Sequence, residues 1–397
     1  MGPFLQFVFL FVCWLSALAT LLVFLESWFA FSGRGRFTAR RASGAYGVIS
    51  VFVPMQGSIA KLERTIRSIF SQSYPFIELL LIHSEEEQHF ARVAKEFRSA
   101  RSHIPVRVVA TPFQFDSPHE RTRALEQAQS NVRGRWLVIL APDVVLDRFA
   151  IESALEFAGS NEISAFTMKP GIQCRSLLER FIAPSMEQLL QMMRVANRRR
   201  ERGKPLDAES SFLLVNREAF ELVNRINRMP GILNEAGWNI WGYQVEGLRT
   251  FEGDGSRWVW RDAAVTSWSS DTDPEQPYGG RGASFVIGSA ATGLIAVSGL
   301  VYGLSEGIDN FTGASILAFS AVSYALMALS YYFYARRLRA TGWFAPLWFI
   351  SHFPAAILTL LEMSRKARAF QEEAAQKGTV AELDERRHSG SRRPPPQ

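Results

Sequence analysis

The chain has 397 residues, of which 47% are hydrophobic and 12% aromatic, and its formal net charge is +6. That length allows roughly two to three domains, and two cysteines, Cys13 and Cys174, exclude a disulfide framework. The positive charge gathers in arginine clusters next to apolar runs and at Arg198, Arg199, Arg200 and Arg202. Such clusters suit anionic lipid headgroups, and no nucleic-acid-binding signature accompanies them.

The first apolar run, Phe4–Phe31, carries one charge, Glu26. It is long enough to span a bilayer, which takes about 20 apolar residues. No basic segment precedes it and no small-residue cleavage site closes it, so a signal peptide is disfavoured. Arg34, Arg36, Arg40 and Arg41 follow it and place that flank on the cytoplasmic side.

Three more apolar runs lie near the C-terminus: Ala283–Leu304, Thr312–Ala335 and Trp343–Leu361. The acidic loop between the first two suits the outer side, and Arg336, Arg337 and Arg339 suit the inner side. The last run contains Pro346, His352 and Pro354. If it spans, the basic tail behind it (Arg365, Lys366, Arg368, Arg386, Arg387) faces out, against the charge rule; a re-entrant or interfacial run keeps the tail inside. Its length favours a span. His352 marks either a functional polar site or a packed core histidine.

Between the apolar ends, strands alternate with helices. Gly47–Pro54 reads as a strand, Lys61–Gln72 as a helix, Ile77–His83 as a strand and Gln88–Arg101 as a helix. Val106–Ala110 follows as a strand, then His119–Ser130 as a helix and Trp136–Leu140 as a strand. The alternation implies βαβ units with right-handed crossovers and a mostly parallel sheet. No phosphate-binding P-loop, no G-x-G-x-x-G after the first strand and no G-x-S-x-G elbow is present.

The stretch RGRWLVILAPDVVLD, Arg133–Asp147, runs a buried strand into an acidic turn. Ligands gather at the carboxyl ends of such strands, and a carboxylate there can hold a metal that neutralises a diphosphate. A turn-forming aspartate is the simpler account of Asp143. Leu177–Val195 is amphipathic with an arginine-rich end, which fits either a membrane-surface helix or ordinary core packing.

Taken together, these elements resemble the inverting, GT-A-type membrane glycosyltransferases of family 2. VISVFVPMQGSIAKLERTIRSIFSQSYPFIELLLI resembles their opening strand, helix and Q-x-Y-P turn. RGRWLVILAPDVVLDRFAIESAL resembles the strand ending in an Asp-x-Asp metal motif, and SSFLLVNREAFELVN the acceptor-side strand and helix. QPYGGRG and the helix layout resemble the hopene-associated and ceramide-glucosyltransferase-like branch.

The resemblance implies an α/β GT-A-type nucleotide-binding domain at 47–281. It is flanked by an N-terminal transmembrane helix at 1–32 with a basic linker at 33–46, and by two to three C-terminal helices at 282–363 with a basic tail at 364–397. It further implies a multi-pass protein of a bacterial inner membrane, the catalytic domain cytoplasmic, which passes a sugar from a UDP-sugar to a hopanoid- or ceramide-like lipid with inversion. Pro54, Glu85 and Asp143 fall at donor-binding positions. Asp143 falls at the metal-ligand position, for Mg or Mn, but Ala141 replaces the first acid of its pair; either the one carboxylate suffices with weaker metal affinity, or the site uses no metal and the arginine-rich inner surface neutralises the phosphate. Glu235 falls where the catalytic base is expected, with Glu246 and Glu252 as fallbacks. Trp268 and Arg281 fall on the acceptor and lipid side, in a region lacking the family's Arg-Trp signature. The missing acid and signature also fit a protein that keeps the fold, has lost catalysis and serves as a membrane-bound binding subunit.

Overall fold

The computed structural model describes residues 2–32, 46–99, 103–115, 118–130, 132–174, 176–198, 211–227, 243–244, 246–262, 280–306, 310–338, 340–361 and 363–364. Its soluble part is built on an eight-stranded sheet of order β3-β2-β1-β4-β7-β6-β8-β5. The first half follows the sequence closely: β1 (Ile49–Pro54), α2 (Ile59–Phe70), β2 (Ile77–Ser84), α3 (Gln88–Ser99), β3 (Val106–Thr111), α4 (Pro118–Gln129) and β4 (Trp136–Leu140). All four strands are parallel, with Ile49 beside both Ile77 and Trp136. β1, β2 and β4 are buried along their whole length, so they read as mainly apolar runs, with the buried Ser50 donating to the buried Glu78.

The second half of the sheet is mixed. A short β5 (Val144–Leu146) leads into α5 (Ala150–Ser160) and β6 (Ala165–Gln173). After α6 (Leu177–Arg198), β7 (Phe212–Asn216) runs antiparallel to both β4 and β6, and α7 (Arg217–Asn227) follows it. β8 (Thr250–Asp262) then runs parallel to β6 and antiparallel to β5. β1, β2, β4, β6 and β8 therefore all end at one edge, and the turn from β4 to β5 lies on it.

Two apolar layers cover the sheet. Val51, Val53, Leu79, Leu81, Val138 and Leu140 face one layer with α2, α3 and α5. Phe52, Leu80, Ile82, Leu137 and Ile139 face the other with α4 and α7. The strict alternation along each strand follows from the pleat.

Four helical segments are long and apolar enough to cross a membrane: Pro3–Leu25, Val286–Glu306, Phe311–Arg336 and Gly342–Leu361. The first lies in α1 (Pro3–Ser32), the second in α8 (Gly280–Glu306) and the third in α9 (Phe311–Arg337). α8 and α9 form an antiparallel hairpin with small residues between them: a Cβ on Gly303 would meet Leu317 Cβ at 2.7 Å, and one on Gly299 would strike Ser320 Oγ. α1 lies parallel to α9, with Thr20 Oγ1 3.0 Å from Ser323 Oγ and Trp28 edge-on to Phe333. Small residues and hydroxyl bonds of this kind let apolar helices approach closely.

The last segment does not run on as a plain span. It opens with a 3-10 stretch, Gly342–Leu347, that contains Pro346. This stretch moves outward along α9: the Gly342 backbone lies against the Tyr332 ring, and Tyr324 Oη donates to the Pro346 carbonyl. The helix that follows runs antiparallel to α8. Trp348 lies against Gly293, His352 Nε2 is 2.8 Å from Ser289 Oγ, and Ala355 and Ala356 cluster with Val286. The segment thus begins beside the end of α9 and finishes beside the start of α8. Both of those points are on the side of the sheet domain.

α6 joins the two parts of the molecule. Ile182 through Leu189 are buried in an unbroken row, which an interfacial helix with one wet face would not show. Ile182, Met186 and Leu189 pack on Val286, Ala355 and Ala356. Ser185 Oγ is 2.6 Å from Ser351 Oγ, and Tyr331 Oη donates to the Phe181 carbonyl at 2.9 Å. This stretch is packed as core, while Leu177 and Leu178 at the start of α6 are exposed.

Candidate active site at the carboxyl edge of the sheet

The carboxyl ends of the strands bring Pro54, Ser84, Glu85, Asp143 and Arg261 to one edge. Pro54 closes β1 opposite Ile82, and Met55 N donates to the Ile82 carbonyl at 2.7 Å. Glu85 follows β2; its backbone N–H bonds Thr111 O at 2.9 Å, while its side chain is exposed and has no partner among the described residues. Its neighbour Glu86 is held by Gln114 Nε2. A free carboxylate beside a fixed backbone can reach a ligand over the sheet edge.

The β4–β5 turn is anchored on three sides. Ala141 N donates to Ser211 O at 3.0 Å, Thr65 Oγ1 on α2 donates to Pro142 O at 2.8 Å, and Val144 N closes the turn on Ala141 O. Below it, Leu146 N bonds Ser68 Oγ at 3.1 Å. Gln72 is buried and spans the next loop, donating to Asp147 O at 2.8 Å and accepting from Ile151 N at 3.2 Å. Tyr74 Oη bonds Gly47 O at 2.7 Å. The Q-x-Y-P turn therefore acts as a brace for the segment carrying Asp143.

Asp143 is not left open. Its Oδ2 lies 2.9 Å from Nε of Arg261 on β8, and the two side chains are 17% and 11% exposed. The ladder fixes this meeting, because Val144 pairs with Arg261 across β5 and β8. Arg261 was absent from the sequence-level candidates because β8 was not read as a strand. The β-branched and aromatic run WVW in SRWVWRD, between polar residues, was the signal that could have found it.

A divalent cation needs several oxygen ligands. Ala141 offers none, and Asp143 already faces a guanidinium. Among the described residues, no group of three or more His, Cys, Asp and Glu side chains is placed to hold a metal. Among the described residues this edge offers a divalent metal one carboxylate, already facing a guanidinium, which is too few oxygens to hold the metal without phosphate and water.

Glu246 and Glu252 lie at the amino end of β8, in the turn before it and opposite Thr167, away from the edge that carries Asp143. Glu235 and Trp268 lie outside the described residues, as does the side chain of Arg281. Ser84 Oγ and Ser211 Oγ at the same edge are buried and lack a hydrogen-bond partner among the described residues.

The strand order and the acidic turn after β4 define a mostly parallel α/β domain with its candidate site at the carboxyl edge of the sheet. Residues 50–223 match the family model described as Glycosyl transferase family 2. No curated protein matches the chain in sequence. Among solved structures, the chain is similar to the mannosyltransferase PcManGT from Pyrobaculum calidifontis in complex with GDP-Man and Mn2+, at 14% identity and a TM-score of 0.43, over 88% of this chain and 99% of that one. It is similar also to S. aureus TarS 1-349 in complex with UDP-GlcNAc, at 13% identity and a TM-score of 0.39, over 83% and 92% of the two chains.

Proposed function

We propose that the protein transfers a sugar from a nucleotide-sugar donor to a lipid acceptor at a membrane surface. The observation that carries this reading is the direction of the sheet: its ligand edge abuts the membrane helices. β6 ends at that edge, and Ile172, together with Cys174 just beyond the strand, packs with Leu338, just after α9. The chain then enters α6, whose buried face lies among the apolar helices. A donor held over the carboxyl ends would sit beside the mouth of the helical cluster, where a lipid hydroxyl could reach it.

In this reading the donor is a UDP- or GDP-sugar, and Pro54 and Glu85 line its nucleotide end. The acceptor hydroxyl attacks the anomeric carbon from the face opposite the leaving diphosphate, which inverts the sugar. A carboxylate must take the hydroxyl proton, and Glu235 holds that role by its place in the sequence. The basic flanks Arg34 and Arg36, with Arg336, support a cytoplasmic position for the sheet domain. The folded-back last segment supports that same side for the basic tail. The hopanoid- or ceramide-like acceptor rests on resemblance of QPYGGRG and the helix layout.

The deciding measurement is nucleotide release by the detergent-purified full chain, offered UDP- and GDP-sugars with hopanoid, ceramide and polyprenol-type acceptors. Acceptor-dependent release that Glu235→Gln lowers by about 100-fold or more supports the reading. Ala141 and the closed Asp143–Arg261 pair favour a second reading, a fold that binds donor without turning it over. Donor-induced thermal stabilisation with no release across the panel would select it.

A further inference from the structure

A carboxylate at the end of β4 normally has value because it holds a cation against a diphosphate. Here the cation is part of the chain. Arg261 Nε lies 2.9 Å from Asp143 Oδ2, and both groups are largely buried at the edge where the donor reading places phosphate. We propose that the Arg261 guanidinium, oriented by Asp143, meets the donor diphosphate in place of a divalent metal. The proposal rests on the glycosyltransferase reading above.

Three observations converge on it. Ala141 removes one carboxylate from the turn, so a metal would have a single side-chain ligand there. A second cation beside Asp143 would share that ligand with Arg261 and repel it. Finally, the position of Arg261 is built into the fold, because Val144, Val145 and Leu146 pair with Arg261, Trp260 and Val259. A slip of one residue would turn Arg261 to the other sheet face and draw a tryptophan into its place.

The chemistry suits the task. A guanidinium is always charged and presents five N–H donors in a planar fork that matches phosphate oxygens. The Asp143 carboxylate, 2.9 Å from Nε, offsets the Arg261 charge while no donor is bound. Lysine would keep the charge but not the fork.

The test is equilibrium binding of UDP and GDP, with uridine and guanosine as controls, to the full chain in detergent. It is run once in EDTA and once in Mn2+. The proposal expects a diphosphate Kd in EDTA within about threefold of that in Mn2+. Arg261→Gln should weaken diphosphate binding by about tenfold or more in EDTA and leave nucleoside binding unchanged. Arg261→Lys should fall between, and thermal melting of each variant reports whether it folds. Asp143→Asn should bind diphosphate as tightly as wild type or tighter, because it removes a negative charge beside the phosphates. A metal site requires the opposite sign for that variant.

Diphosphate binding that appears only with Mn2+, or that Arg261→Gln and Arg261→Lys leave intact, overturns the proposal while keeping the donor-binding reading. Failure of either nucleotide to bind under both conditions overturns the donor-binding reading itself, and the proposal with it.

Discussion

Gln72 illustrates how a motif residue can serve the site without touching a ligand. Its amide ties the end of α2 to the loop behind β5, through Asp147 O and Ile151 N. Gln72→Ala leaves these buried backbone groups without their partner, at a cost of about 1–3 kcal/mol. Thermal unfolding in detergent should show a lower midpoint than a surface control such as Arg67→Ala. An unchanged midpoint would mean that water replaces the amide. Cys174 offers a different check. Burial, then the nearby charge of Glu179, pushes its thiol up to about 11, with Arg180 opposing. The protonated thiol is a poor nucleophile, so native protein at pH 7.5 should resist maleimide at Cys174 and react after denaturation. The same shift has a stability sign. The folded state holds the proton more tightly than the unfolded one, whose thiol ionises near 9, so the contribution is complete below that pH and is lost as pH rises through about 11.

At the scale of elements, the last apolar segment shows why length alone misleads. Trp343–Leu361 is long enough to span, and the sequence favours a crossing on that ground. Its contacts run the other way: outward along α9 to Pro346, then back along α8 through Trp348, His352 and Ala355. Such a turn inside the apolar layer is tolerable where the backbone is packed among protein. The conflict between a spanning helix and the basic tail then disappears. A tag placed after residue 397 should be accessible on the same side as one in the sheet domain, and on the opposite side from a tag before residue 1. Selective labelling of intact and permeabilised vesicles reads this directly, and a C-terminal tag on the N-terminal side would refute the fold-back. His352 packs in this hairpin, with Nε2 on Ser289 and its ring edge-on to Trp348.

For the whole molecule, the coupling lies in α6. The helix leaves the ligand edge after β6 and buries Ile182, Met186 and Leu189 against α8 and the last segment. Cutting the chain to residues 46–262 would strip that cover and expose a contiguous apolar patch, a recognised cause of association. The excised domain should aggregate without detergent, and replacing Ile182, Met186 and Leu189 with polar residues should restore solubility. A monodisperse unmodified fragment would show that the domain does not depend on its membrane partner.

The alternating strands and helices from Ile49 to Leu140 were legible because β1, β2 and β4 are buried on both faces and α2 carries a clear apolar stripe. The acidic turn at Asp143 was legible for a related reason, since a buried strand must end in a polar turn. The amphipathic face of α6 was visible, but what covers it was not. The later half of the sheet was harder to read: β5 has three residues and β6 carries Pro170 and Gly171 at a register shift, so neither shows a long period. The sequence by itself determined the βαβ core, the apolar ends and the single carboxylate at the turn, because local periodicity and charge encode those. Only the tertiary structure decided what that carboxylate faces. Asp143 and Arg261 are far apart along the chain, and nothing local to either one states that β5 and β8 pair with Val144 opposite Arg261.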